Sequence, residues 1–219
     1  MNRYAFFDVD ETIINEKSMF SVLEAISHHF PNINSAAIRK RLQILRSSGV
    51  ERDVVNRAFY KELHGLPQLA VQALAKKHIT RRLVSKNAYI IENVMVEFDK
   101  CRRNGFEPVF VSGSALDFIQ PLAKHLHVAY CLATRLICDA AGNYTGEIEG
   151  EPMIGQGKRH AVLTFLHQRN ADPINCAAFG DHLSDLAFLE IMGHPHVVAT
   201  SDSRLISIAR QRGWPVIYP

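Results

Sequence analysis

Asp8 and Asp10 are the residues of this 219-residue chain best placed to do chemistry. They sit in Tyr4-Ala-Phe-Phe-Asp-Val-Asp-Glu-Thr12, where an apolar run ends abruptly in two carboxylates and a hydroxyl. Such a pair can hold a hard cation, and one member can attack phosphorus as a nucleophile. Aspartates also cap helices, so the pair alone leaves both readings open. Three later stretches bear on the choice. Val109-Phe-Val-Ser112-Gly113-Ser114 offers a hydroxyl and a glycine loop whose backbone N–H groups can hold a phosphate. There Ser114-Ala-Leu-Asp117 fits a capping box, which accounts for Ser114 and leaves Ser112 for function. Gly155-Gln-Gly-Lys158-Arg-His160 puts three basic residues at a predicted helix start, where each exposed cation costs about 0.3–1 kcal/mol. That placement, after a glycine-rich turn, points Lys158 towards an anion. Gly180-Asp181-His-Leu-Ser-Asp185 follows another apolar strand, and its two aspartates share one face if the helix has begun. Capping is common there too, but the preceding glycine and strand favour a metal site.

These residues need a common edge. The run into Asp8 suits a strand buried on both faces of a parallel sheet, and ligands bind outside the carboxyl ends of such strands. After Thr12 the period changes to helical. Residues 18–30 place Met19, Val22, Leu23 and Ile26 on one face, and Pro31-Asn32 ends the stretch. Asn34-Ser35 caps a second helix through Ile38, Leu42 and Leu45. A third runs from Glu51 towards His64-Gly65, and Pro67 opens a fourth. Four helices without a strand form a bundle over residues 17–84, inserted into a core of residues 1–16 and 85–219. Strand–helix alternation then resumes. A helix from Ala88 to Arg103 stops at Asn104-Gly105, and Pro108–Val111 is a strand with proline at its start. Pro121 should start or kink the next helix. Val128–Ala133 is a strand, and Leu136–Asp139 with Tyr144–Ile148 forms a hairpin around Gly142-Asn143. A helix over 157–168, a strand over Asn175–Phe179, a helix over Leu183–Met192, a strand over Val197–Ala199, a helix over Leu205–Arg210 and an edge strand over Trp214–Ile217 follow. The fold class is α/β: a doubly wound, Rossmann-like parallel sheet with an inserted helical cap where a lid over the carboxyl edge belongs.

Bulk properties fit a soluble protein with a real core: 47% hydrophobic, 21% charged and a formal charge of +3. Charges of both signs are mixed along the chain, giving no case for nucleic acid. No signal segment or membrane-length apolar run is present, so no membrane partner and a cytoplasmic location are expected. Cys101, Cys131, Cys138 and Cys176 contain no CxxC pair and read as reduced. His28-His29, His125/His127 and His194/His196 lack zinc-motif spacing. Gathered at one edge, Asp8, Asp10, Asp181 and Asp185 would repel a phosphate. Two carboxylates ~4 Å apart already repel each other by about 4 kcal/mol at an effective dielectric of 20. A divalent cation plus Lys158 removes most of that penalty, and oxygen ligands favour Mg²⁺ over zinc.

Asp8-Val-Asp10-Glu-Thr12, Ser112-Gly113-Ser114, Gly157-Lys158 and Gly180-Asp181…Asp185, in that order, resemble the four motifs of the haloacid dehalogenase-like superfamily. The helical insertion resembles its type 1 cap, as in subfamily IB and the phosphoserine-phosphatase-like subgroup. The tail Gly193-His-Pro-His…Arg212-Gly-Trp-Pro-Val216 is similar to that subgroup's uncharacterised hydrolases. The resemblance implies a phosphatase of small phosphorylated metabolites. In it Asp8 becomes phosphorylated and Asp10 is acid, then base. Ser112, Gly113 and Lys158 bind the phosphoryl group. Asp8, the Asp10 carbonyl and Asp181 hold Mg²⁺, with Asp185 supporting them. Phosphoserine phosphatase proper is an alternative. A phospho-accepting receiver domain, a class apart, lacks the second carboxylate and the insertion. Halide displacement needs no leaving-group acid such as Asp10. Phosphoserine phosphatases carry a glutamate nine residues beyond the nucleophile to read the substrate amine. Here that position is Lys17, beside Glu16, and either can face the substrate, depending on the turn.

Overall fold

The computed structural model describes residues 2–85, 89–200 and 202–219. Strand β1 (Arg3–Phe7) is followed by α1 (Ser18–His29), α2 (Ser35–Ser47), α3 (Arg52–Lys61) and α4 (Gln68–Val84). Then come α5 (Glu92–Arg103), β2 (Phe106–Ala115), α6 (Leu116–His125), β3 (Tyr130–Thr134), β4 (Leu136–Cys138) and β5 (Tyr144–Ile148). The chain closes with α7 (Gln156–Gln168), β6 (Ala177–Gly180), α8 (Leu186–Leu189), β7 (His194–Val198), α9 (Ser203–Arg212) and β8 (Val216–Ile217).

The main sheet has the order β3-β2-β1-β6-β7-β8, and every pairing in it is parallel. Alternate residues of β1 feed different layers. Tyr4 and Phe6 pack edge-on against Phe165 of α7, while Phe7 stacks on Phe179 at 4.3 Å and meets Phe98 of α5. Burial on both faces explains the unbroken apolar run. From β1 the chain builds outward to β2 and β3 on one side and to β6, β7 and β8 on the other. The end of β1 is therefore the topological switch point, where an open α/β sheet forms its binding crevice.

The inserted helical region, α1–α4, lies over that edge. The β4–β5 hairpin, a separate small sheet, ties itself to the inserted region through backbone bonds from Gly65 to Tyr144, Tyr144 to Leu66 and Gln68 to Gly142. Asn34 caps α2 as expected, accepting the Ala37 N–H.

Several boundaries differ from the sequence expectation. Helix α6 starts at Leu116, so Pro121 lies inside it rather than at its start; burial of Phe118, Ile119 and Leu122 outweighs one lost backbone bond. β2 begins two residues before Pro108, whose second neighbour, β3, joins the ladder only at Val109. β3 begins at Tyr130 rather than Val128, and the expected helix over Leu183–Met192 is a 3₁₀ turn, Leu183–Asp185, and the short α8. The expected start of α5 at Ala88 lies outside the described residues.

Candidate active site

β1 delivers Asp8 to the crevice, and the Asp8 N–H bonds the Phe179 carbonyl of neighbouring β6 at 2.9 Å. The chain then turns sharply. Glu11 takes a left-handed φ of 60°, and the Val9 carbonyl accepts N–H groups from Thr12, Ile13 and Ile14. This turn sends Asp10 towards the inserted helices and away from Asp8. Asp10 Oδ1 accepts the N–H of Ser18, the first residue of α1, at 3.0 Å, and Oδ2 accepts the Ser114 hydroxyl at 2.6 Å. Ser18 Oγ in turn donates to Ser114 Oγ at 2.9 Å.

Ser114 thus contradicts its expected role as a capping residue: Ala115 is the N-cap of α6 and makes no side-chain bond. Asp117, its supposed capping partner, instead accepts Gln68, Gln72 and the Tyr144 hydroxyl. β2 extends to Ala115, but its register against β3 shifts between Ser112 and Ala115, and within that irregular stretch the Ser114 N–H bonds Ser112 Oγ at 3.1 Å. The capping pattern carried no sign of this irregular strand end.

α7 delivers Lys158, 4% exposed, whose Nζ lies 2.6 Å from both Asp8 Oδ1 and Asp185 Oδ1. Burial opposes its charge, but the two carboxylates hold its pKa above the ordinary lysine value. Asp185 Oδ2 accepts the N–H groups of Asp181 and His182. Asp181 accepts the hydroxyls of Thr12 and Thr200, at 3.3 and 2.9 Å. Thr200, just past the end of β7, carried no signal of its own.

Carboxylate oxygens of Asp8, Asp181 and Asp185 lie within 4.8 Å of one another, the cluster among the described residues able to hold a metal ion. If all three buried carboxylates were ionised, one lysine would leave the cluster two negative charges in excess. Burial first, then the neighbouring acids, pushes Asp181 up to about 9. Burial likewise lifts Asp8, to about 6, against the pull of Lys158, and raises Asp10. An all-oxygen, acid-rich donor set of this kind fits a hard divalent cation. All three carboxylates have both oxygens engaged, but Asp185 is held by Lys158 and two backbone N–H groups, whereas the partners of Asp181 are the Thr12 and Thr200 hydroxyls, which can rotate away.

Lys17 lines the cavity above the carboxylates and pairs with Glu11 at 3.1 Å. Glu16 points elsewhere, paired with Arg82 at 2.9 Å and approaching His78 at 3.6 Å. Ser112 and Gly113 line the same cavity. The histidine pairs and cysteines contribute no such metal cluster among the described residues, and all four cysteines are free.

Residues 5–190 match the model of the haloacid dehalogenase-like hydrolases. The chain belongs to that family. With its buried aspartate cluster, this haloacid dehalogenase-like protein is a phosphatase-type hydrolase. It is 29% identical over 222 residues to a probable phosphatase of Mycobacterium tuberculosis, covering 97% of this chain and 74% of that one. A Bordetella pertussis Tohama I protein of unknown function superposes with a TM-score of 0.85 at 20% identity, over 99% and 98% of the two chains. A substrate-bound phosphoserine phosphatase superposes with a TM-score of 0.70 at 17% identity, over 99% and 93%. At these identities the two structures speak for the fold alone. No helix among the described residues is long and apolar enough to cross a membrane.

Proposed function

We propose that this hydrolase is a Mg²⁺-dependent phosphatase of the phosphoserine-phosphatase-like subgroup, acting on a small, acidic phosphomonoester through an aspartyl-phosphate. The cap comprises residues 17–84 and the core residues 1–16 and 85–219. The carrying observation is the division of labour between two aspartates one residue apart. Asp8 is buried against Lys158 beside Asp181, while Asp10 is held apart by Ser18 and Ser114.

In this reading an Asp8 oxygen attacks phosphorus as the ester oxygen departs with a proton from Asp10. Burial raises the Asp10 pKa, which favours its starting protonated. Asp10 then takes a proton from water, which attacks the same phosphorus and releases phosphate and free Asp8. Ser112, the Gly113 backbone and Lys158 hold the phosphoryl oxygens, the electrostatic positioning that phosphoryl transfer mainly requires. Asp8, the Asp10 carbonyl and Asp181 would hold Mg²⁺, which when bound would supply the charge neutralisation a phosphate dianion needs.

The acidic substrate class rests on the cavity wall. Lys17, Arg46 and Arg52 line it together with Phe20, Leu42 and Val55, and neither arginine has a carboxylate partner among the described residues. Residues 17–84 carry twelve Lys and Arg against four Asp and Glu; the rest of the chain carries thirteen against eighteen. Counted by region, the charges are therefore not evenly mixed. A cap of this sign draws anions and repels a substrate ammonium.

A panel of phosphomonoesters assayed for released phosphate with Mg²⁺ tests the reading. Esters bearing an extra carboxylate or phosphate and no amine should be turned over better than phosphoserine. Lys17→Glu should narrow that gap roughly tenfold, the factor carried by about 1.4 kcal/mol. A wild-type preference for phosphoserine over every such ester would make Lys17 irrelevant to selection.

A further inference from the structure

The Gly113 carbonyl, in the loop that carries Ser112, accepts three hydrogen bonds. Tyr60 Oη and Thr134 Oγ1 each lie 2.9 Å away, and Asn56 Nδ2 lies 3.2 Å away. A carbonyl oxygen has two lone pairs, so this one is crowded with donors. Thr134 comes from the end of β3 in the sheet. Asn56 and Tyr60 come from α3, four residues apart and so on one face of that helix.

Both side chains are buried, and their roles are fixed by chemistry. Only the amide NH₂ of Asn56 can meet a carbonyl oxygen, which leaves its Oδ1 buried without a donor. Burial of the Tyr60 phenol, with Asp10 nearby, pushes its pKa well above the ordinary tyrosine range, so it remains a donor. The other end of the same peptide is also held: the Ser114 N–H donates to Ser112 Oγ at 3.1 Å. Ser112 Oγ is thereby an acceptor towards its own loop, which leaves its proton for a partner outside that loop. Gly113 has little room to shift, since a Cβ there would meet Ile154 and the Met153 carbonyl at 3.3 Å.

We infer that Asn56 and Tyr60 are positioning residues, which clamp the Gly113–Ser114 peptide from the inserted helices and so aim the Ser112 hydroxyl at the phosphoryl site. With α3 in place three donors meet the Gly113 carbonyl; without its two, Thr134 would be the remaining side-chain donor to that oxygen. The loop's readiness to receive a phosphoryl group is thus coupled to the placement of α3. The kinetic part of this inference rests on the phosphatase reading above; the mechanical part does not.

The test uses the full chain with Tyr60→Phe, Asn56→Ala and the double variant. Amide hydrogen exchange is followed over residues 112–115 in the absence of ligand. Turnover of p-nitrophenyl phosphate is measured with Mg²⁺. The double variant should exchange about tenfold faster in that segment, with β1 unchanged, a factor typical of losing a hydrogen bond. Its kcat should fall about tenfold, with KM within about twofold, because an aimed hydroxyl matters most in the transition state. Unchanged exchange overturns the clamp. Faster exchange with unaltered kcat, or a rise in KM alone, overturns the positioning role. If the wild type hydrolyses no phosphomonoester, the phosphatase reading fails while exchange still decides the clamp. Should the double variant not fold, Tyr60→Phe, which removes one oxygen, decides on the same readings.

Discussion

Among the described residues Lys158 is the one buried cation against Asp8, Asp181 and Asp185, and that imbalance governs how the site should respond to metal and to pH. Asp181 has a folded-state pKa of about 9, far above its ordinary 3.8. A carboxyl raised in this way contributes stability that is full below pH 3.8 and is lost as pH rises towards 9. A metal needs those carboxylates ionised, so protons compete with it over the same window. Mg²⁺ should therefore raise Tm, and by more at pH 8 than at pH 5. Chelation should stop turnover, Mg²⁺ should restore it better than Ca²⁺, and Asp181→Ala should remain inactive with either. A Tm indifferent to Mg²⁺ at both pH values, or full turnover after exhaustive chelation, would remove the metal from the account. Phosphate release and thermal unfolding in matched buffers read both.

The elements matter here chiefly through how they end. β6 stops at Gly180, and a Cβ on that residue would lie 2.7 Å from the Asp185 Cβ and 2.9 Å from its Oδ2. The glycine lets the following 3₁₀ turn fold Asp185 back onto Lys158 and onto the N–H groups of Asp181 and His182. Gly180→Ala should cost about 1–3 kcal/mol through overpacking, and should also lower turnover as Asp185 is pushed off Lys158. A denaturant midpoint and an activity both equal to wild type would contradict this use of Gly180. The ends of strands were also where the sequence was most legible. Apolar runs closing in Asp8, Ser112 and Asp181 announced both the strands and the edge, since burial and chemistry change at the same residue. The helix starts at Ser18 and Ser35 were legible from period and capping. Ser114 as a cap and Pro121 as a helix start were misread because a local rule was outweighed by burial and, for Ser114, by a partner about a hundred residues away.

At the scale of the molecule, the order of the motifs located the core and an inserted helical region, but how that region meets the sheet was not legible. Its contacts join residues remote in sequence: Ser18 to Asp10 and Ser114, Asn56 and Tyr60 to Gly113, and Gln68 and Gln72 to Asp117. Each is made by a polar residue whose type alone names no partner. The turn at Glu11, with its left-handed φ, was equally hidden, yet it separates the two aspartates and directs Lys17 rather than Glu16 to the cavity. All of this converges on one chemical claim, that Asp8 carries the phosphoryl group between two half-reactions. Asp10→Asn should slow turnover by about 10²–10⁴, and most of that loss should fall on release of phosphate from the enzyme when the departing group is a good one. Acid-quenched samples of Asp10→Asn turning over p-nitrophenyl phosphate with Mg²⁺, digested and read by mass spectrometry, test the claim most directly. The account predicts a phosphoryl group on the peptide containing Asp8, located on Asp8 itself and missing from an Asp8→Asn sample. Continued turnover by Asp8→Asn, or phosphoryl transfer to any other residue, would contradict it.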